Sequence, residues 1–284
     1  MRRSFLGFLI APAAAGAQAA PPLAEVPFTL HQNAVIVEAV VNGRDTVRLL
    51  LDTGWGPLAL VESAARRLGL TAEPAGADRI ARAGSLGIGG AATSNVTFEL
   101  FPDESLQPLI GPHDGVLSTA FFRDLVLQVD YPHGVVRFFA RSPLSGEPAI
   151  PMIFVPGAGA LPFSDSVFVD GRPVRALFDT GGSGGFMVMP RLVERAGLEV
   201  LPDTGPRLGV GMFGDGRPVR AALRFARVGR IAVGVITRES PRVLIAPTEL
   251  TGAEWNHDLI VGYGFFRDLV VTFDYPGRLI HFTR

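Results

Sequence analysis

Apolar runs of strand length recur along this chain, each closed by Gly, Pro, Asn or Asp. Residues 34–41, 125–129, 135–139, 230–236 and 269–273 carry the alternating or continuous apolar pattern of half-buried and buried strands. Two stretches depart from it. Residues 62–70 and 190–198 place apolar residues at helical spacing and end at Gly69 and Gly197, the usual C-terminal stop of a short helix. The pattern predicts a mainly β chain with one short helix per repeat.

The elements come twice. Val26-Pro27-Phe28 is answered by Ile150-Pro151-Met152, and Val41-Asn42-Gly43-Arg44 by Val169-Asp170-Gly171-Arg172. Phe121-Phe122-Arg123-Asp124-Leu125-Val126 returns letter for letter 144 positions later as Phe265-Phe266-Arg267-Asp268-Leu269-Val270. Asp130-Tyr131-Pro132 and Asp274-Tyr275-Pro276 close the two copies and read as hairpin turns. The second copy carries about seventeen extra residues between 199 and 257. A Pro- and Gly-bearing joint separates the copies, so the expected organisation is a first lobe at 20–142, a linker at 143–149 and a second lobe at 150–284.

Composition narrows the chemistry. Of 284 residues 48% are hydrophobic, enough for a packed core, and the net charge of −1 gives no basic field to favour nucleic acid. Cys is absent, which excludes thiolate nucleophiles, disulfides and Cys-based zinc sites. Residues 1–19 have the form of an export signal: Arg2-Arg3, an apolar stretch from Phe5 to Ala15, and Ala17-Gln18-Ala19 as a small-residue cleavage site. The stretch is shorter than the ~20 residues that span a bilayer, and the paired arginines also suit a twin-arginine route. The expectation is a periplasmic or secreted protein with no membrane span after signal removal.

Two acids stand out against that background. Leu49-Leu50-Leu51-Asp52-Thr53-Gly54 and Ala176-Leu177-Phe178-Asp179-Thr180-Gly181 each end an apolar strand in a carboxylate and a glycine turn, at matching places in the repeat. A third Asp-Thr-Gly at Asp203 lies between two prolines with no strand leading in, and reads as a plain turn. Carboxylates about 3 Å apart cannot both ionise, so such a pair holds one acid and one base in one place. Acid and base together are suited to activating one water against an amide carbonyl.

With these motifs the chain resembles the pepsin/retropepsin-type aspartic peptidases, in a bacterial exported form with two tandem retropepsin-like units. The resemblance implies two pseudo-twofold-related lobes flanking a central cleft, with Asp52 and Asp179 as the catalytic pair. It also implies that Thr53 and Thr180 cross-link the two loops, and that Gly54 and Gly181 leave backbone N–H groups free to reach the carboxylates. Trp55 and Gly182 stand where that family usually has Ser or Ala, and Ser118 stands where Gly262 has the expected glycine. A side chain at Ser118 is expected to crowd Asp52.

The Gly-rich stretches 84–90 and 209–216 are candidate flaps, with Gly87, Gly89, Met212 and Phe213 beside Trp55 as possible cleft-wall or flap residues. His113-Asp114 and His257-Asp258, again 144 positions apart, read as surface entries to strands and form no zinc pattern. The expected activity is that of a cofactor-free, monomeric aspartic endopeptidase taking a peptide or protein in extended form. Its rival is an inactive pepsin-fold module that holds peptide or protein without cutting it.

Overall fold

The computed structural model describes residues 21–105, 111, 113–202, 208–212, 218–247 and 257–284. Both halves of the chain meet in one six-stranded sheet. Its order is Ala24–Pro27, Val135–Phe139, Val126–Asp130, Val270–Asp274, Leu279–Thr283 and Ala149–Pro151. At the centre Val126 pairs with Asp274, Gln128 with Thr272 and Asp130 with Val270, all antiparallel. Because residues 144 apart are equivalent, this register places a local twofold at the Gln128 and Thr272 pair.

The two faces of this sheet differ, as side chains alternate along a strand. Leu127, Val129, Val136, Phe138, Val271, Phe273, Ile280 and Phe282 are buried in apolar packing. Across the strands runs a polar row of directly opposed residues: Glu25, Arg137, Gln128, Thr272 and His281. Arg137 donates to Glu25 at 2.6 Å and to Gln128 at 3.1 Å, and the Gln128 amide donates to Thr272 at 3.0 Å.

Each half adds a sheet of its own. The first is eight-stranded, ordered Thr29–His31, Ala34–Val41, Asp45–Asp52, Gly115–Ser118, Leu58–Val61, Ala91–Phe101, Asp78–Ile88 and Ala72–Ala75, and a further pairing of Val40 with Gly87 draws it towards closure. The second is nine-stranded and runs Glu199–Val200, Arg224–Arg227, Arg242–Ile245, Phe186–Val188, Leu259–Val261, Arg172–Phe178, Phe163–Val169, Arg230–Val233 and Ile236–Glu239. The predicted run 230–236 is interrupted after Val233, where Gly234 takes a φ of 55° and turns the chain. In both sheets the strand that leads to an Asp-Thr-Gly turn is sandwiched: Asp45–Asp52 lies parallel to Gly115–Ser118, and Arg172–Phe178 parallel to Leu259–Val261.

Four short helices lie wholly within the described residues, two per half. Glu62–Arg67 and Pro190–Ala196 fall where the periodicity put them, the latter stopped by Gly197 at φ 63°. Thr119–Phe122 and Tyr263–Phe266 were not expected, because four residues are too few to establish a period.

The His-Asp pairs need correction as well, since they are not surface features. Asp258 is buried and accepts from the Arg175 backbone N–H, from Arg191 and from Arg195, which ties the helix Pro190–Ala196 to its sheet. Asp114 does the same with the Arg48 N–H at 2.8 Å and Arg67 at 2.6 Å. Of their histidines His113 is buried and His257 half-buried, and both are held neutral: desolvation lowers each to about 4.

The halves are unequal in one respect. Ala72–Ala75 returns into Asp78–Ile88 through the two residues Gly76 and Ala77. The matching pair in the second half, Glu199–Val200 against Arg224–Arg227, is separated by residues 201–223, which include a separate two-stranded sheet of Leu208–Met212 and Pro218–Ala222.

Candidate active site

The two turns meet through their threonines. The Thr53 hydroxyl donates to the Phe178 carbonyl at 2.7 Å and accepts the Thr180 N–H at 3.0 Å. Thr180 repeats both contacts in reverse, to the Leu51 carbonyl at 2.7 Å and from the Thr53 N–H at 3.0 Å. Both threonines are fully buried. Four hydrogen bonds, with all donors and acceptors satisfied, thus fix the two strand ends against each other.

Glycine is required on each side by close approach. A Cβ on Gly54 would stand 2.6 Å from Cγ of Asp179, and one on Gly181 would run into the Asp52 carboxylate. Each turn also supplies its own acid with a donor: Gly54 N–H to Asp52 Oδ1 and Gly181 N–H to Asp179 Oδ1, both at 2.8 Å. The structure therefore brings together Asp52, Thr53, Gly54, Asp179, Thr180 and Gly181, and the two carboxyl groups are within hydrogen-bonding reach of one another.

The pair is electrostatically unequal. Burial, and next the charge of Asp179, push Asp52 well above the usual carboxylate range, against the backbone N–H groups of Gly54 and Trp55 that favour its ionised form. Asp179 is raised less. Burial acts on it too, but the hydrogen bond from Asp52 and the N–H groups of Gly181, Gly182 and Gly54 all stabilise its charge. The pair thus shares one proton between two unlike surroundings, with more N–H groups aimed at Asp179 than at Asp52.

Of the other candidates, Trp55 lies beside the pair. Its ring is half-buried against Phe101, edge to face at 6.0 Å, and its carbonyl accepts from Thr119. Ser118 lies opposite Asp52 in the strand register but does not crowd it. Its hydroxyl donates to the Gly56 carbonyl at 2.8 Å and caps the helix Thr119–Phe122 through the Ala120 N–H.

Gly262, its equivalent, has nearly the same backbone conformation, yet a Cβ there would strike the Gly182 carbonyl. The turn after Asp52 reaches its helix one residue sooner than the turn after Asp179, and there the Gly56 carbonyl accepts the serine hydroxyl.

Gly87 and Gly89 do not stand at the site, which corrects the first flap assignment. Gly87 pairs with Val40, which pairs with Thr46, six residues and about 20 Å of strand from Asp52. Gly89 and Gly90 turn the chain against Ala24, at the start of an outer strand of the six-stranded sheet, and against Leu23 just before it. The second flap stretch belongs to the separate hairpin: Met212 ends its first strand, while Phe213 and the Asp203 turn lie outside the described residues.

Tyr131 and Tyr275, expected to be turn residues only, bury their rings next to the acids, and the duplicated Asp-Tyr-Pro was the signal that marked them. Among the described residues no three His, Asp or Glu side chains gather as a metal site.

Comparison with known proteins agrees with this geometry. The Aspartyl protease family matches residues 166–265, within the second half. No curated protein matches the chain. The fold is similar to that of the aspartic proteinase from Irpex lacteus, with a TM-score of 0.53 over 91% of this chain and 96% of that one, at 12% sequence identity.

Proposed function

Since the chain is of the pepsin/retropepsin type in its fold and in the sequence of its second half, we propose that it is an aspartic endopeptidase that hydrolyses peptide bonds with Asp52 and Asp179. The observation that carries the reading is the threonine exchange, which holds two buried carboxyl groups face to face with different proton affinities.

In the proposed reaction, ionised Asp179 takes a proton from a water lying between the carboxyl groups. The water oxygen attacks the amide carbon while Asp52 gives its proton to the carbonyl oxygen, forming a neutral tetrahedral diol. Transfer of the proton now on Asp179 to the amide nitrogen allows the C–N bond to break. As the carbonyl re-forms, the diol returns a proton to Asp52, and the pair regains its starting state. A peptide in extended form is the matching substrate, because its backbone can pair with strand edges along a cleft.

The inactive-module alternative drew on Ser118 and Trp55. Ser118 is engaged with Gly56 and the helix cap, and the Trp55 N–H favours the charge of Asp52, so neither favours that alternative. The deciding experiment is digestion of a peptide library by the wild type, Asp52→Asn and Asp179→Asn. Cleavage by the wild type alone is expected, and activity surviving in either variant would remove the shared-pair mechanism.

Export is proposed from residues 1–19, and cell fractionation with N-terminal sequencing of the mature protein tests it. Among the described residues no helix is long and apolar enough to cross a membrane. A monomer is the proposed solution state, since one chain supplies both acids, and its mass in solution checks this.

A further inference from the structure

Each copy of the repeat closes on a tyrosine where a turn requires none. Tyr131 and Tyr275 are 8% and 2% exposed, and neither hydroxyl reaches a protein hydrogen-bond partner. Buried hydroxyls are ordinarily paired, and phenylalanine would fill the same space without an unpaired oxygen. That the chain retains the hydroxyl at both twin positions directs attention to what it faces.

The rings cross between the halves. Tyr131, from the first half, stacks on Phe266 at 5.8 Å and meets Tyr263 edge-on at 5.9 Å, both on the helix of the second half. Tyr275, from the second half, lies 5.5 Å from Phe122 on the helix of the first. Those helices follow directly on the strands that flank the Asp-bearing strands, with Ser118 opposite Asp52 and Val261 opposite Phe178. Each tyrosine thereby packs on the helix that adjoins the other half's acid-bearing strand.

We infer that Tyr131 and Tyr275 are positioning residues for the carboxyl pair, each turning its O–H toward the opposite half's aspartate and so deciding which acid keeps the shared proton. This rests on the endopeptidase reading for its catalytic consequence, though not for its geometry. The acid faced by Tyr131 is Asp179 and the acid faced by Tyr275 is Asp52, and burial with these charges raises both phenols, which keeps them as protonated donors.

Of the other titratable groups nearby, Tyr263 also faces Tyr131. Asp130 is turned to His133 and Arg137, and Asp274 to the Gly277 N–H. The helix Thr119–Phe122 against Tyr275 carries no ionisable side chain.

A hydroxyl dipole directed at a carboxyl group favours its ionised form, so its removal raises that group's pKa. Tyr131→Phe is expected to move the Asp179 titration, and with it the acidic limb of kcat/KM, upward by about half to one pH unit. Tyr275→Phe is expected to move the Asp52 titration and the alkaline limb upward by a similar amount.

The experiment is carbon-13 NMR titration of the aspartate carboxyl groups in the intact chain and both variants, with pH–rate profiles and melting curves on the same samples. Unchanged titrations and limbs, accompanied only by a change in melting temperature, would reduce the tyrosines to packing and overturn the inference. Downward shifts would overturn it too. A wild type that cuts no peptide would overturn the endopeptidase reading instead, while the carboxyl titrations would still decide the role of the tyrosines.

Discussion

Thr53 and Thr180 each donate to the carbonyl that precedes the other's aspartate, and each accepts the other's backbone N–H. The two acids are therefore positioned by a contact that neither half makes alone. Thr53→Val removes one hydroxyl and strands two buried partners, the Phe178 carbonyl and the Thr180 N–H. At ~1–3 kcal/mol for each unsatisfied group, a loss of about 2–6 kcal/mol is expected in denaturant titration. Thr53→Ser keeps both bonds, so it should lose far less stability and retain peptide cleavage.

Gly54→Ala and Gly181→Ala test close approach without touching a polar group. Each added methyl meets the opposite carboxylate, so the acids must part or the turns must shift. A fall in kcat/KM of at least ~100-fold is expected, since displacement of about 1 Å is enough for that. Gly184→Ala, where nothing lies within 4 Å of the added carbon, serves as the control and should leave cleavage near wild type.

Proton linkage gives Asp52→Asn a second signature. The folded pKa of Asp52 lies above its ordinary 3.8, so its contribution is fully present below that value and is lost as pH rises through the raised one. Asparagine carries no such penalty. The variant should be inactive yet more stable than the wild type towards neutral pH, with the difference disappearing near pH 4; melting temperature against pH measures it. Activity is expected in an acidic window, bounded below by protonation of Asp179 and above by ionisation of Asp52.

Ser118 and Gly262 make an asymmetric exchange experiment. Ser118→Gly removes the helix cap and the bond to Gly56, and should cost about 1 kcal/mol with cleavage retained. Gly262→Ser drives a side chain into the Gly182 carbonyl, next to the N–H that supports Asp179. Loss of both stability and cleavage is expected there, read by melting temperature and a peptide assay.

Which parts of this were legible beforehand follows from what each signal measures. Strand 34–41 and the helices near 62 and 190 were visible because their apolar periods are long enough to count. Their equal place in a repeat set Asp52 and Asp179 apart from Asp203, which shared only their letters, and the family resemblance implied that the two would meet.

Glycine at 87 and 89 announced a turn but not the end of the eight-stranded sheet at which it would fall. Ser118 looked like an obstruction because its spacing from Asp52 was known and the course of the intervening turn was not. The row from Glu25 to His281 escaped notice since its members come from five strands, and only the register between strands aligns them.

The unequal hairpins carry one more implication. A groove with true twofold symmetry reads an extended chain the same way from either end, so a bound peptide has no preferred polarity. Here one half closes in two residues, and the other interposes the sheet of Leu208–Met212 and Pro218–Ala222. That inequality, set beside the unlike surroundings of Asp52 and Asp179, would make the two directions of a bound peptide energetically distinct.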